Sequence, residues 1–269
     1  MSLPRVIACL DVDGERVVKG TSFVALRDVG EPALLAAAYE RAGADEVVLL
    51  DITASAEQRP SRWSVVTRTA ETLFVPLVFG GGIRSLADAR AALRAGADKV
   101  ALNSAAVADP DLIARCAEAL GAQCVVVSID VRRTPAGPRV VTHGGRRPTA
   151  LEPVAWAQAA VARGAGEILL TSIDTDGQRS GYDLELTAAV AAAVPVPVVA
   201  SGGAGCAQHV VDVLARGRAD AALLAGALHD GSLTIGACKH ALRAAGLRVR
   251  DADVAPASWA FARAGGGGA

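Results

Sequence analysis

The sequence predicts an α/β protein folded as a single (β/α)8 barrel built from two similar half-barrels, and three observations carry that expectation. Eight short runs rich in Val, Ile and Leu alternate with Ala-rich amphipathic stretches, the pattern of parallel strands buried on both faces and joined by crossover helices. The halves repeat: Gly43-Ala-Asp-Glu46 returns as Gly164-Ala-Gly-Glu167 and Gly81-Gly82 as Gly202-Gly203, each 121 positions on. Asp98 and Asp220 follow 122 apart, and Asp11 and Asp130 119 apart. A length of 269 residues suits one such barrel.

Strands are expected near Val6 to Asp11, Glu46 to Asp51, Pro76 to Phe79, Lys99 to Asn103, Cys124 to Asp130, Glu167 to Ser172, Pro197 to Ser201 and Asp220 to Leu224. Between the first two lies Val12 to Gly30, with Gly14, Gly20, Arg27 and Asp28, too long for an ordinary strand-to-helix connection and therefore read as a lid. The helices ahead of strands two, four and six close on Arg41-Ala-Gly-Ala-Asp45, Arg94-Ala-Gly-Ala-Asp98 and Arg163-Gly-Ala-Gly-Glu167, glycine-bearing stops that feed a strand. Periodicity fades beyond Asp253, and Gly265 to Gly268 near the end mark residues 254–269 as a flexible tail to a barrel domain of residues 1–253.

Composition excludes several classes. A net charge of −1 with nine aromatics gives neither a phosphate-backbone field nor a stacking platform, so no nucleic-acid partner is expected. The most apolar stretch, Ala188 to Ala200, is broken by Pro195 and Pro197 and is too short for a membrane span. With no apolar segment or cleavage site at the N-terminus, a cytoplasmic location is expected. The five cysteines form no C-x-x-C pair and read as reduced, mostly core thiols; the four histidines show no ligand spacing, so no metal site is expected.

In such a barrel the C-terminal ends of the strands form the active face. Asp11 and Asp130 close the expected first and fifth strands, which stand opposite each other. A lone Asp there commonly caps a turn; two in symmetric positions are placed as a general acid and base on either side of one substrate. Glycine turns follow strands three and seven, Gly80-Gly81-Gly82 and Ser201-Gly202-Gly203, while Asn103-Ser104 and Ala225-Gly226 follow strands four and eight. Each pair of loops suits a phosphate, since backbone without Cβ atoms can approach an anion closely, so the ligand is expected to carry phosphate at both ends. Asp174 and Asp176 after strand six are further candidates, though Asp176-Gly177 also suits a plain turn. At the opposite end Arg5, Glu46, Lys99 and Glu167 begin strands. Two cations and two anions near the barrel floor should neutralise one another, because an unpaired buried charge is costly.

Ile7-Ala-Cys-Leu-Asp-Val12 with Arg16-Val-Val-Lys-Gly-Thr21, Leu50-Asp-Ile-Thr-Ala-Ser55, Phe79-Gly-Gly-Gly-Ile83, Asp98-Lys-Val100, Ile129-Asp130, Thr171-Ser-Ile-Asp-Thr-Asp-Gly177, Ser180-Gly-Tyr-Asp183 and Ala200-Ser-Gly-Gly-Ala-Gly205 together closely resemble the cyclase subunit of imidazole glycerol phosphate synthase, collinearly over residues 4–250. The resemblance implies histidine biosynthesis: ammonia and the bisphosphorylated ribulosyl intermediate PRFAR give imidazole glycerol phosphate and AICAR, with no cofactor. It implies Asp11 as base, Asp130 as acid, Lys19 in the lid over a phosphate or the glycerol end, and substrate contacts at Thr171, Asp176 and Gly177 besides the two loop pairs. It also implies that Arg5, Glu46, Lys99 and Glu167 gate an ammonia channel, with a glutaminase subunit docked below and Asp98 and Gln123 touching it. No cysteine here sits in a nucleophile elbow, so the ammonia must come from elsewhere. The sequence departs from the family at the lid, Asp13-Gly14-Glu15, and after strand eight, Leu224-Ala-Gly-Ala-Leu228.

Two other readings compete. A phosphoribosyl isomerase of the same pathway shares the half-barrel repeat and opposed aspartates but has no reason to keep a gate. A non-catalytic sugar-phosphate binder would be indifferent to loss of either aspartate.

Overall fold

The computed structural model describes residues 3–21, 24–54 and 62–251; the stretch read as a tail lies outside them. Eight parallel strands form a closed barrel: β1 (Arg5–Asp13), β2 (Glu46–Asp51), β3 (Leu77–Gly80), β4 (Lys99–Leu102), β5 (Val125–Thr134), β6 (Glu167–Ser172), β7 (Val198–Ser201) and β8 (Ala221–Leu224). Neighbours in the chain are neighbours in the sheet, and the pairing of Arg5 with Ala221 between β1 and β8 closes the ring. Among the described residues, eight helices of eight residues or more surround it: α1 (Pro32–Arg41), α2 (Trp63–Ala70), α3 (Leu86–Arg94), α4 (Asp111–Leu120), α5 (Pro153–Ala162), α6 (Leu184–Ala193), α7 (Ala207–Ala215) and α8 (Ile235–Ala244).

The strands are apolar throughout because both faces are buried. On β1, Val6, Ala8 and Leu10 pack against the helices, whereas Ile7 and Cys9 point inward to meet Val48, Val78, Val126, Leu169, Val199 and Leu223. Each fully buried aliphatic side chain contributes ~1.5–3 kcal/mol. The helices stop as expected at the turns that feed strands two, four and six: Ala44 N–H donates to Tyr39 O, Ala97 to Ala92 and Ala165 to Ala160, the six-residue closure that ends a helix by satisfying its last carbonyls.

The two halves superimpose in sequence register. Moving β2, β3, α1 and α3 by 121 positions gives the bounds of β6, β7, α5 and α7. Both α1 and α5 begin with a proline, Pro32 and Pro153, whose fixed φ suits the first helical position.

The structure corrects two boundaries. Asp11 and Asp130 do not end their strands; β1 runs on to Asp13 and β5 to Thr134. Each is lengthened by an antiparallel excursion. Val12 and Asp13 pair with Val17 and Arg16 of a hairpin formed by Arg16–Thr21 and Val24–Gly30, which is the segment read as a lid. Asp130 to Thr134 pair with Gly137–Thr142. Within the hairpin Asp28 pairs with Arg16, Nε to Oδ2 at 2.8 Å. Among the described residues no helix is long and apolar enough to cross a membrane, and no group of His, Cys, Asp and Glu could hold a metal ion. All five cysteines are free, with Cys9, Cys116 and Cys238 buried, Cys124 half-buried and Cys206 exposed.

Candidate active site

A cavity of about 590 Å³ opens at the C-terminal end of the barrel, and the two-residue period of the strands decides what lines it. The inward series on β1 is Ile7, Cys9, Asp11, and on β5 it is Val126, Ser128, Asp130, so both aspartates reach the same cavity. Asn103 Nδ2 donates to Asp130 Oδ2 at 2.9 Å, and the Cys9 thiol stands 3.7 Å from Asp11 Oδ1. Burial pushes both carboxyl groups up to about 6. For Asp11 the Lys19 ammonium opposes that rise and Asp176 adds to it; for Asp130 the Asn103 hydrogen bond opposes it and Asp176 again adds. Two carboxyl groups that titrate near neutrality in one pocket can each give or take a proton.

Thr171 and Asp176 also line this cavity, as do Gly177, Asn103 and Ser104. Asp174 does not join them: its carboxylate accepts the Arg133 N–H at 2.7 Å outside the pocket. The sequence offered both aspartates of this loop, and the turn conformation selects one.

Gly81, Gly202, Gly203, Ser201, Ala225 and Gly226 line the cavity from the loops expected to hold phosphate. At Gly81 a Cβ would lie 2.1 Å from Asp51 O, and at Gly202, 121 positions on, 2.6 Å from Ser172 O. Both residues have positive φ, 92° and 90°. Each turn is thus folded onto the last carbonyl of the neighbouring strand, β2 or β6, an approach and a conformation that only glycine allows. After β4 and β8 the chain forms two short helical turns, Ser104–Ala108 and Gly226–His229, in equivalent positions of the two halves. Lys19, from the hairpin, extends its side chain across Gly226 into the loop-seven and loop-eight side.

At the other end of the barrel the four strand-opening charges meet. Arg5 Nη1 lies 2.6 Å from Glu46 Oε2, and Arg5 Nη2 also pairs with Glu167. Lys99 Nζ lies 3.1 Å from Glu46 and 2.8 Å from Glu167. Each cation touches both anions in a closed square. The glutamates are 3% and 6% exposed, and Arg5 and Lys99 23% and 19%, so the ring plugs the barrel floor yet touches solvent on its cationic side. Asp98 and Gln123 lie on this same end and are exposed. Asp98 already serves the fold, accepting the Leu77 N–H at 2.8 Å, as Asp45 does for Val6 and Asp220 for Val198.

Sequence reasoning missed part of the lining. Ser128 follows from the inward period of β5 once its register is known. Thr53 and Arg179 stand on loops where no period applies; Arg146, which the sequence puts beside the active face without a role, also lines the cavity. Arg179 is held in a left-handed conformation, φ 58°, and pairs with Asp230 after β8.

Residues 5–234 match the family described as histidine biosynthesis protein. The chain is 62% identical over 246 residues to the imidazole glycerol phosphate synthase subunit HisF of Myxococcus xanthus (strain DK1622), covering 91% of this chain and 97% of that protein. It is 54% identical over 250 residues to the HisF subunit of Frankia casuarinae, 91% and 98% covered, and 54% over 254 residues to that of a Synechocystis species, 93% and 97% covered. With identity of this extent running through the whole barrel, the chain belongs to the histidine biosynthesis family and, within it, to the HisF subunits of imidazole glycerol phosphate synthase.

Proposed function

We propose that this chain is the cyclase that combines ammonia with PRFAR to give imidazole glycerol phosphate, AICAR and one water, with Asp11 as general base and Asp130 as general acid. The observation that carries the reading is the meeting of those two carboxyl groups in one cavity, between two symmetric glycine turns. Addition of ammonia, ring closure and C–N cleavage move protons at several atoms, and opposed carboxyl groups poised at about 6 can relay them. The two loop pairs would take the terminal phosphates, with Lys19 closing on the one held by loops seven and eight, and Thr171, Asp176 and Gly177 on the reacting sugar.

Ammonia would arrive from a glutaminase subunit on the opposite end, near Asp98 and Gln123. Past the ring of Arg5, Glu46, Lys99 and Glu167 the interior is apolar, from Ile7, Val48, Val126 and Leu169 up to the aspartates. Neutral ammonia crosses such a lining at little cost; ammonium does not.

The test is product analysis. Purified chain given PRFAR and an ammonium salt is expected to release imidazole glycerol phosphate and AICAR in equal amounts. Inertness toward PRFAR together with turnover of its aminoaldose precursor would replace this reading with that of the isomerase.

A further inference from the structure

The two antiparallel excursions from the barrel obey its internal two-fold. One grows from β1, beside β8 in the ring, and the other from β5, beside β4. The β1 hairpin leans back over its neighbour, because Lys19 lies across Gly226 at the start of the helical turn after β8. The β5 hairpin does the same. At its turn the His143 N–H donates to Ser104 Oγ at 2.9 Å, and Ser104 starts the helical turn after β4. The backbone enters these two turns almost identically, Asn103 at φ −128°, ψ −99° and Ala225 at φ −132°, ψ −89°. Each hairpin thus reaches one of the two expected phosphate sites.

The turn of the β5 hairpin brings a cation to its site. Between Thr142 and Arg147, which pair with each other, three consecutive residues are left-handed: His143 at φ 56°, Gly144 at 64° and Gly145 at 77°. That conformation is costly for a residue with a Cβ, and at His143 it is kept at the mouth of the cavity. The next residue, Arg146, lines the cavity together with Gly144. The other cations of the lining are committed elsewhere: Arg179 pairs with Asp230, and Lys19 stands on the β8 side. Arg84, after β3, turns to Ala54 O at 2.9 Å. Among the described residues the Arg146 side chain makes no hydrogen bond or ion pair, while Gly81, Asn103 and Ser104 bring only neutral donors to their end of the cavity.

We infer that Arg146 binds the substrate phosphate held by loops three and four, as the counterpart of Lys19 at the opposite phosphate. The inference deepens the proposed function and rests on its assignment of the two phosphate sites. Each end of the bisphosphate then meets one cation from one hairpin. The two cations differ in kind, a planar guanidinium that grips phosphate through two parallel N–H bonds and an ammonium that acts as a point charge. A near-symmetric site is thereby given two unequal ends.

The reaction supplies its own probes, because it splits the bisphosphate into two products that each keep one phosphate. Steady-state kinetics with PRFAR and ammonium, with competitive inhibition by imidazole glycerol phosphate and by AICAR, are measured on Arg146→Ala, Arg146→Lys, Arg147→Ala and Lys19→Ala. Arg146→Ala is expected to raise KM roughly tenfold or more, the worth of one charge-assisted contact, with kcat within about twofold. It should weaken inhibition by one product by a similar factor and leave the other unchanged, and Lys19→Ala should do the reverse. Arg146→Lys, which keeps the charge without the fork, should fall between parent and Arg146→Ala. Arg147 is the control, an exposed cation next in sequence that does not line the cavity; Arg147→Ala should leave every constant at the parent value, and melting temperatures report folding of each variant. Inertness of the parent toward PRFAR would strike the proposed function itself. A parent that turns PRFAR over beside an Arg146→Ala variant with unchanged KM and product inhibition would overturn the inference about Arg146 alone, as would equal effects from Arg147→Ala, or Arg146→Ala and Lys19→Ala weakening the same product.

Discussion

Asp130→Asn is expected to turn over PRFAR ~10²–10⁴-fold more slowly than the parent, the usual worth of a positioned proton donor, while melting at a higher temperature at pH 8. Both effects have one cause. The Asp130 carboxyl stands in a cavity that penalises its charge and titrates at about 6 instead of 3.8. Between those values the folded chain holds a proton that the unfolded chain has released, so stability falls as pH rises through the interval and stays lowered above it. Asn carries no charge and can still accept the Asn103 Nδ2 hydrogen bond. The gain should be on the order of 1 kcal/mol, about 2–4 °C for a chain of this size, and the pH dependence between about 4 and 6 should flatten. Thermal melts across that range on parent and variant check the sign. A variant less stable than the parent at pH 8 would show that ionised Asp130 is not under strain.

Arg5→Ala should have the largest cost in stability. Arg5 pairs with both Glu46 and Glu167, so its removal leaves Lys99 alone against two nearly buried carboxylates. Breaking a buried ion network from one side costs ~3–5 kcal/mol, chiefly from the charge left behind. That corresponds to a fall in Tm of about 6–20 °C. Removing charge in pairs should be much milder: Arg5→Met with Glu167→Gln leaves Lys99 matched to Glu46 and is expected to recover most of the loss. Calorimetric melting of the single and double variants checks this. If Arg5→Ala melted within a degree of the parent, the square of charges would be an ordinary solvated rim. On the proposed route of ammonia through the barrel from a glutaminase subunit, a floor opened in this way is also expected to depress glutamine-driven turnover more than ammonium-driven turnover.

The fold was legible because the signals that specify it are local and periodic. Runs such as Val47 to Leu50 and Ile168 to Leu170 are apolar on both faces, as only a barrel or a covered sheet requires, and Gly81 and Gly202 recur where each turn folds onto a strand carbonyl. The period of two then places Asp11 and Asp130 inside, and Arg5, Glu46, Lys99 and Glu167 at the floor. Loops have no period. Nothing in Asp174-Thr-Asp176 says which carboxylate turns inward, since the backbone of the turn decides it. The extension of β1 and β5 by hairpins was hidden for a related reason: a pairing partner that follows a tight turn lengthens a strand without changing its apolar run.

The claim on which the chemistry depends is that Asp11 and Asp130 act on one substrate. It is tested most directly by kcat for PRFAR plus ammonium in Asp11→Asn, Asp130→Asn and the double variant, with the dissociation constant of PRFAR measured calorimetrically for each. Each single change should lower kcat by ~10²–10⁴-fold, the double change should add little to the worse single one, and binding should be unaltered throughout. Turnover at the parent rate in either single variant would contradict it.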